Sequence, residues 1–410
     1  MEVHDPPDTA DGLARAGHAG PEAPGDGAPG QALRDRGQAL NDRGQGLHDL
    51  GQGLHDLSDD DGVLVRVGQV ARRALRRYDV GEDAEVELIN VSENATFLVT
   101  DAGRRLILRV HRLGYHSPEA IGSELDWLTA LREEAAVPTP RVVPALDGSR
   151  VVGVADPGAS TRHCVMFEHV PGGEPAEDRL DEHFGPLGAI TARMHLHARR
   201  WRRPAAFTRF HWDEDAAFGP APRWGRWQDG AGVDGAAREV LSRLESALRD
   251  RLARFGKGSE RYGLIHADLR LANLLVAGEA DAQGAPVAVA APGAGALDGP
   301  AAGEGAGRVT VIDFDDCGFG WYLYDLGAAL SFIEHHPRVP EMVESWISGY
   351  RTVLDLPRED EQEVWTFIMM RRLLLVAWMG SHPAVGIARE LGAGYTAESC
   401  ALAERYLSTM

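Results

Sequence analysis

The sequence predicts an α+β protein with two lobes, a small antiparallel sheet in the N-terminal part and mainly helices in the C-terminal part. Strand-like runs rich in β-branched and aliphatic residues are concentrated between residues 84 and 170, separated by turns such as DAGR. Beyond residue 180 the apolar residues recur at helical spacing, as in the leucines at positions 241, 244, 248 and 252. Strands grouped before helices are typical of α+β architectures.

The predicted elements follow one another in a regular order. Strands are predicted at 84–91, 95–100, 105–112, 141–146, 149–155 and 162–170. Helices are predicted at 63–78, 118–135, 184–201, 233–255, 364–378 and 397–407. The second of these helices begins with proline and stops before VPTPR, because proline suits the first helical turn and interrupts later ones.

Changes in composition divide the chain into an arm and two lobes. Residues 1–60 are rich in Gly, Pro and acid and contain a seven-residue repeat that runs from GQALRDR to GQGLHDL. Each heptad contains glycine, which costs about 1 kcal/mol in a helix, and the first two lack an apolar residue at one seam position. We therefore predict a disordered arm rather than a coiled coil. We expect an N-lobe at 61–168 and a C-lobe at 169–410, with a hinge at 168–173.

A stretch rich in Gly, Ala and Pro, 278–307, interrupts the C-lobe. It separates the short apolar runs LLV and VTVID, which would otherwise form a tight hairpin. The entropy of loop closure grows slowly with loop length, so a fold tolerates such an insertion at a hairpin tip. We predict that these residues are a flexible surface insertion and that the two runs still pair.

The overall composition argues against several classes of protein. The net charge of −20 argues against nucleic acid or an anionic membrane as the main partner. It mildly favours a cationic substrate, although solubility alone explains the acidity better. Three widely spaced cysteines and the absence of a basic, apolar leader predict a cytoplasmic protein without disulfides. Lys257 is the only lysine among 42 basic residues, so any other cation that binds phosphate must be arginine. The sequence predicts no particular oligomeric state.

Two segments of the C-lobe contain the candidate catalytic residues. LIHADLRLANLLV places His266, Asp268 and Asn273 in the pattern HxDxxxxN, and VTVIDFDDCGFG places Asp313 after an apolar run. This is the paired layout of a kinase-type phosphoryl-transfer site. Asp268 would accept the proton of an attacking hydroxyl, and Asn273 and Asp313 would hold the Mg²⁺ that bridges the phosphates of ATP. His266 would brace the loop from within.

The N-lobe offers candidates for a phosphate cover and a cation. Ser92, Glu93 and Asn94 form a polar turn whose backbone N–H groups could meet phosphates, although an ordinary hairpin turn explains them almost as well. Arg109 lies in the strand LILRV, and Glu124 follows fifteen residues later in a helix. Such a pair would aim a guanidinium at the phosphates, whereas the alternative is a surface Arg beside a solvated Glu. The expected nucleotide contacts are completed at the hinge by Phe167, Glu168 and His169.

Three further acids lie close to the two catalytic segments. Asp315 and Asp316 would contact a second metal or a cationic substrate, but solvated loop acids are the simpler interpretation. Asp325 lies at the expected start of a helix. It would either cap that helix or accept hydrogen bonds from the catalytic loop, and both roles are structural.

From about Val63 to the C-terminus the sequence resembles the aminoglycoside phosphotransferase and choline kinase family, which has a protein-kinase-like fold. The resemblance rests on LIHADLRLANLLV and VIDFDDCGFGWYLYDLGAAL. SENATF, LRVHR, SELDWL and RRLLLVAWMGSH resemble a bacterial branch with stress-response and homoserine-kinase-like members. The resemblance implies a phosphotransferase that uses ATP and Mg²⁺. The family usually has HGD, so Ala267 and Arg270 depart from its pattern, and Arg270 would reach the γ-phosphate or an anionic part of the substrate.

The expected acceptor is a hydroxyl group of a small molecule. Only about ten residues separate IDFDD from the next predicted helix, which leaves no room for the activation loop and APE segment that hold a peptide. The leading hypothesis is transfer to an aminoglycoside, an amino alcohol or a homoserine-like metabolite. A stress-response-type Ser/Thr protein kinase and a non-catalytic nucleotide-binding scaffold are the alternatives, and the intact Asp268, Asn273 and Asp313 argue against the scaffold.

Overall fold

The computed structural model describes residues 61–91, 94–155, 161–175, 180–277, 309–383 and 386–409. The predictions for the arm at 1–60, the insertion at 278–307, and Ser92 and Glu93 lie outside these residues.

The N-terminal part is built on a six-stranded antiparallel sheet with the order β1-β2-β3-β6-β4, in which β5 also pairs with β6. The strands are β1 (Glu85–Val91), β2 (Ala95–Asp101), β3 (Arg104–Val110), β4 (Val142–Val143), β5 (Val152–Ala155) and β6 (Thr161–Glu168). The DAGR turn joins β2 to β3, and both of its central residues, Ala102 and Gly103, have positive φ. This backbone matches the twist of the two strands and fixes the hairpin register.

Two helices cover opposite faces of this sheet. Helix α1 (Asp61–Leu75) packs Val70 and Ala74 into one core, which also contains Cys164 and Met166 of β6. Helix α2 (Pro118–Glu134) contributes to a second core with the two β6 residues of the opposite face, Val165 and Phe167. That second core continues into the C-terminal part, so the sheet and the following helices share apolar packing across the expected hinge.

The C-terminal part is mainly helical, with two small sheets that carry the catalytic segments. The helices are α3 (Leu180–Arg200), α4 (Glu214–Phe218), α5 (Gly235–Phe255), α6 (Tyr324–Ala329), α7 (Val339–Arg351), α8 (Arg358–Glu361), α9 (Val364–Ser381) and α10 (Gly386–Ser408). The strands are β7 (His211–Trp212), β8 (Tyr262–Ile265), β9 (Leu274–Val276), β10 (Val309–Val311) and β11 (Gly318–Trp321). Strands β9 and β10 pair antiparallel, which confirms the predicted hairpin.

Helix α9 is the central helix of the C-terminal core. The stretch Arg358–Ser381 is long and apolar enough to cross a bilayer by length and composition, but 78% of its most apolar window is buried inside the protein. A core helix passes the same test, so this stretch is weak evidence for a membrane span.

The architecture confirms the predicted α+β class with an antiparallel sheet followed by helices. The helices differ from the prediction in two ways. Helices α4, α7 and α8 were not predicted, and the helix expected at 397–407 is the end of the longer α10, which bends at Gly392. The lobe boundary after residue 168 coincides with the end of β6 and stays a prediction.

Candidate active site

The catalytic segment is a short loop between β8 and β9. His266 follows β8 directly, and a single 3₁₀ turn, Leu271–Asn273, leads into β9. Between them Ala267 has φ +67°, a left-handed backbone that costs an L-residue about 1–2 kcal/mol. Glycine avoids this cost, which explains physically why the family pattern has glycine at this position.

The buried carboxylate of Asp325 holds this strained backbone in place. Its two oxygens accept hydrogen bonds from the backbone N–H of Ala267 at 2.7 Å and of His266 at 3.1 Å. His195 lies 3.0 Å from the same carboxylate, and its other ring nitrogen lies 3.0 Å from the hydroxyl of Tyr350. Of the two roles predicted for Asp325, the structure therefore shows the hydrogen bonds to the catalytic loop, with no side-chain cap on α6.

The Asp268 carboxylate is held by three side chains. Oδ1 accepts from Nη2 of Arg371 at 2.5 Å, and Oδ2 accepts from Nδ2 of Asn273 at 2.8 Å and lies 3.4 Å from Nε of Arg270. Burial alone would raise the pKa of Asp268, but the charges of Arg270 and Arg371 hold it below its ordinary value. The group is therefore an ionised, oriented acceptor at neutral pH.

His266 lies where the sequence predicts a brace. Its ring is fully buried, Nε2 lies 3.0 Å from the carbonyl of Ile312, and Nδ1 accepts from the backbone N–H of Asp268 at 3.3 Å. Burial lowers the pKa of His266, so the ring is neutral. It joins the catalytic loop to the residue before Asp313.

Asn273 and Asp313 present oxygen atoms of the kind that a hard divalent cation requires. The Asn273 amide nitrogen donates to the carbonyl and carboxylate of Asp268, and its Oδ1 accepts no hydrogen bond within the described part of the chain. Asp313 follows β10 with φ +61°. Burial within the site raises the pKa of Asp313 to about 7, the charges of Asp315 and Asp268 add to the rise, and Arg109 opposes it.

The surroundings of Asp313 also suit a metal ion. Its side chain keeps 42% of its surface open to solvent, so water screens part of the burial effect and a cation can reach the carboxylate. A cation would relieve the repulsion from Asp315 and Asp268 that adds to the rise in its pKa. Carboxylate and amide oxygens are the ligands that Mg²⁺ accepts in proteins. The donor set therefore fits this ion.

Arg109 and Glu124 form the predicted strand-to-helix ion pair. Nη2 of Arg109 lies 2.5 Å from Oε1 of Glu124, and Nη1 lies 3.6 Å from Oδ1 of Asp313. Burial opposes the charge of Arg109, but Glu124, Asp315 and Asp313 outweigh it and raise the pKa of the guanidinium. The pair is buried, which excludes the alternative of a surface Arg beside a solvated Glu.

Asp315 joins the sheet to the catalytic segments from inside the protein. Its Oδ2 accepts from Nδ2 of Asn94 at 2.9 Å, and Oδ1 lies 3.5 Å from Nδ1 of His111 and 3.4 Å from Nε2 of His116. Only 6% of Asp315 is exposed, so its interpretation as a solvated loop acid is wrong. The side chain of Asn94, at the end of the predicted phosphate cover, therefore points inward to this carboxylate.

The remaining candidates lie around this centre. The Arg270 side chain keeps 37% of its surface exposed beside Asp268. Phe167 is buried under the Arg109 guanidinium, 5.4 Å from ring centre to Cζ. The backbone N–H groups of Glu168 and His169 donate to the carbonyls of neighbouring segments at 2.8 and 3.3 Å. These residues border the Arg109 strand, and their contact with a nucleotide stays a prediction.

Sequence reasoning missed Arg371, which makes the shortest contact to Asp268. The available signal was a pair of arginines, Arg371 and Arg372, inside an otherwise apolar helix. Buried charges in proteins are paired or hydrogen-bonded, and a carboxylate is the favourable partner of a guanidinium. Sequence reasoning also missed His111 and His116, because their contacts with Asp315 depend on tertiary packing that no local pattern encodes.

Comparison with known proteins identifies the family. A model of the phosphotransferase enzyme family (APH) matches residues 85–285 and 302–361, more than half of the chain. The solved structure of a microcompartment-associated aminopropanol kinase is 50% identical, covers 83% of this chain and 98% of its own, and has a TM-score of 0.72. The amicoumacin kinase hAmiN, solved with AMP-PNP, Ca²⁺ and Ami, is 21% identical, covers 84% of this chain and 94% of its own, and has a TM-score of 0.63.

A curated relative agrees with these matches. The amicoumacin kinase of Bacillus subtilis (strain 168) is 23% identical over 318 residues, which are 75% of this chain and 83% of the relative. The protein-kinase-like fold that the resemblance implied is confirmed. The chain therefore belongs to the phosphotransferase enzyme family and is a kinase whose acceptor is the hydroxyl of a small molecule.

Proposed function

We propose that the protein transfers the γ-phosphate of ATP, in the presence of Mg²⁺, to the hydroxyl group of a small amino alcohol. The observation that supports the reaction is the ionised Asp268 carboxylate, fixed beside Asn273 at 2.8 Å in the same loop. In kinases such a carboxylate accepts the proton of the attacking hydroxyl, while Asn and Asp oxygens hold the metal that neutralises the phosphates.

The other site residues would bind the metal ion and the phosphates of ATP. Asn273 and Asp313 hold Mg²⁺, which offsets the negative charge that the β- and γ-phosphates carry. Arg109, oriented by Glu124, supplies the cation that other kinases obtain from lysine. The only lysine, Lys257, pairs with Asp213 and Glu214 on the surface and is not a candidate for this role.

The proposed acceptor class rests on the aminopropanol kinase relative and on one carboxylate of the site. Asp316 lies three residues after Asp313, and its Oδ1 accepts from the hydroxyl of Tyr115 at 2.6 Å. Burial raises the pKa of Tyr324 to about 12, and the charges of both Asp268 and Asp316 contribute to the rise. Both carboxylates therefore act electrostatically on the same buried hydroxyl group. We expect Asp316 to attract the ammonium group of the substrate while the hydroxyl meets Asp268.

The connection after Asp313 favours a small acceptor over a protein. A single 3₁₀ turn, Phe314–Asp316, and strand β11 lead directly into α6. No segment in this described stretch is long enough to form the activation loop on which protein kinases place a peptide.

A transfer assay tests the proposal. Purified protein is incubated with γ-labelled ATP, Mg²⁺ and either an aminopropanol, a neutral propanediol, an aminoglycoside, homoserine or a generic protein substrate. We expect label on the aminopropanol with the highest kcat/KM. The Asp316→Asn variant should raise KM for the aminopropanol at least tenfold and leave KM for the propanediol within about twofold, because only the amine interacts with the lost charge. Label on protein alone, or on none of the acceptors, would contradict the proposal.

A further inference from the structure

Arg371 approaches the catalytic loop from α9 and contacts it at two points. Its Nη2 lies 2.5 Å from Oδ1 of Asp268, and its Nη1 donates to the carbonyl of Ala267 at 3.1 Å. One rigid guanidinium thus binds the carboxylate of the proposed base and the backbone of the strained residue that precedes it.

The guanidinium is itself held on its other sides. Nε donates to Oγ of Ser331 at 2.9 Å, Nη1 also lies 3.3 Å from the hydroxyl of Tyr324, and the Trp224 ring lies 4.8 Å from Cζ. Only 1% of the Arg371 surface is exposed. These contacts leave the guanidinium one accessible orientation. The position of α9 therefore fixes the position of the Asp268 carboxylate.

A glycine permits this approach of α9. A Cβ atom at Gly327 of α6 would lie 2.6 Å from the backbone carbonyl of Phe367 and 3.3 Å from Cβ of Arg371. Helices α6 and α9 therefore pack backbone to backbone one turn from Arg371. Because α6 also carries Asp325, the two groups that hold the catalytic loop come from one tightly packed pair of helices.

We infer that Arg371 is a positioning residue for the phosphoryl-transfer reaction, which fixes the Asp268 carboxylate through Oδ1 so that its remaining lone pairs face the acceptor hydroxyl. The inference rests on the proposed role of Asp268 as the base. The hydrogen bonds of Arg371 go to Asp268, Ala267, Ser331 and Tyr324, so it would act through Asp268 rather than by contact with nucleotide or acceptor. Its effect should therefore fall on kcat and pass through Asp268.

Arg372, the next residue of the same helix, provides a matched control. It is equally buried, but it pairs with Glu334 at 2.7 Å and lies 2.8 Å from Oγ of Ser399, away from the catalytic loop. A Lys substitution removes the fork-shaped donor at either position and keeps the positive charge. A merely structural effect of losing a buried arginine should thus appear in both variants.

The test measures kcat, KM for ATP and the thermal unfolding midpoint for Arg371→Lys, Arg372→Lys, Asp268→Asn and the double variant Asp268→Asn/Arg371→Lys. We expect Arg371→Lys to lower kcat about 10- to 100-fold, because misplacement of a catalytic group by about 1 Å has effects of this size. KM for ATP should stay within about twofold. Arg372→Lys should lower kcat less than threefold at a comparable loss of thermal stability. In the Asp268→Asn background, Arg371→Lys should change kcat less than twofold.

A milder variant covers the case in which Arg371→Lys fails to fold. Ser331→Ala removes the acceptor of Nε and keeps the arginine, and we expect a loss of kcat of about threefold or more with KM for ATP unchanged. The inference is overturned if Arg371→Lys, or Ser331→Ala in its place, keeps wild-type kcat while Asp268→Asn is inactive. It is also overturned if the effect of Arg371→Lys on kcat is the same in both Asp268 backgrounds, or if the two arginine variants lose kcat equally. Wild-type turnover by Asp268→Asn would overturn the proposed base and this inference together.

Discussion

Replacing Asp325 by asparagine should destabilise the C-terminal part and displace the catalytic loop. The carboxylate accepts from two backbone amides, at 2.7 and 3.1 Å, and is fully buried. Asparagine keeps the shape but offers one acceptor oxygen. One amide would therefore keep a neutral acceptor, and the other would face the NH₂ group of the new side chain. His195 can adapt by changing its tautomer, but a backbone N–H cannot.

The magnitude follows from these two hydrogen bonds. A buried N–H without a partner costs about 1–3 kcal/mol, and replacing a charged acceptor by a neutral one costs about 1 kcal/mol at the other amide. We expect a loss of about 2–4 kcal/mol in the free energy of unfolding. Since the left-handed backbone at Ala267 depends on the same carboxylate, kcat should also fall about 100-fold.

Urea unfolding monitored by tryptophan fluorescence measures the free energy of unfolding, and kcat is recorded for the same preparations. Asp360→Asn is the control, because Asp360 is 5% exposed and its partner Arg261 also contacts Glu359. The control should lose less than about 1.5 kcal/mol and keep its kcat. A loss below 1 kcal/mol for Asp325→Asn, or a loss no larger than that of the control, would refute the reasoning.

Three other predictions concern the nucleotide site and the insertion. Asp313→Ala should abolish Mg²⁺-dependent nucleotide binding, because only Asn273 of the two proposed metal ligands would remain. Unchanged Mg·ATP affinity by calorimetry would contradict the role of Asp313. Glu124→Gln should raise KM for ATP about tenfold through loss of the charged partner of Arg109 at 2.5 Å, and a KM within twofold of wild type would count against the pair. Replacing 278–307 by a short Gly linker should leave kcat within about threefold, since β9 and β10 already pair, and a larger loss would mean that the insertion has a part in the reaction.

Local sequence patterns predicted most of the longer elements and the pairing of nearby segments. Apolar alternation and turn residues predicted the antiparallel sheet and the interrupted β9–β10 hairpin, both of which the structure contains. The spacing of Arg109 and Glu124 on a strand and the next helix predicted a pair that the structure brings to 2.5 Å. The chemical roles of these residues toward ATP and Mg²⁺ remain predictions.

Contacts between segments distant along the chain could not be predicted in the same way. Arg371 reaches Asp268 across 103 residues, and Asn94 reaches Asp315 across 221. Such contacts depend on how helices and sheet pack, which no periodicity within one segment encodes. Helix α7 is a different case, because Val339, Met342 and Trp346 have helical spacing and are buried, so its signal was present in the sequence.

The most direct test of the account is phosphate transfer by Asp268→Asn. Transfer from γ-labelled ATP to an aminopropanol is measured beside Mg·ATP binding by calorimetry, for wild type and the variant. The account predicts that the variant binds Mg·ATP within about threefold of wild type, because Asn273 and Asp313 are unchanged, while kcat falls at least 1,000-fold. Turnover within tenfold of wild type at equal Mg·ATP affinity would contradict it.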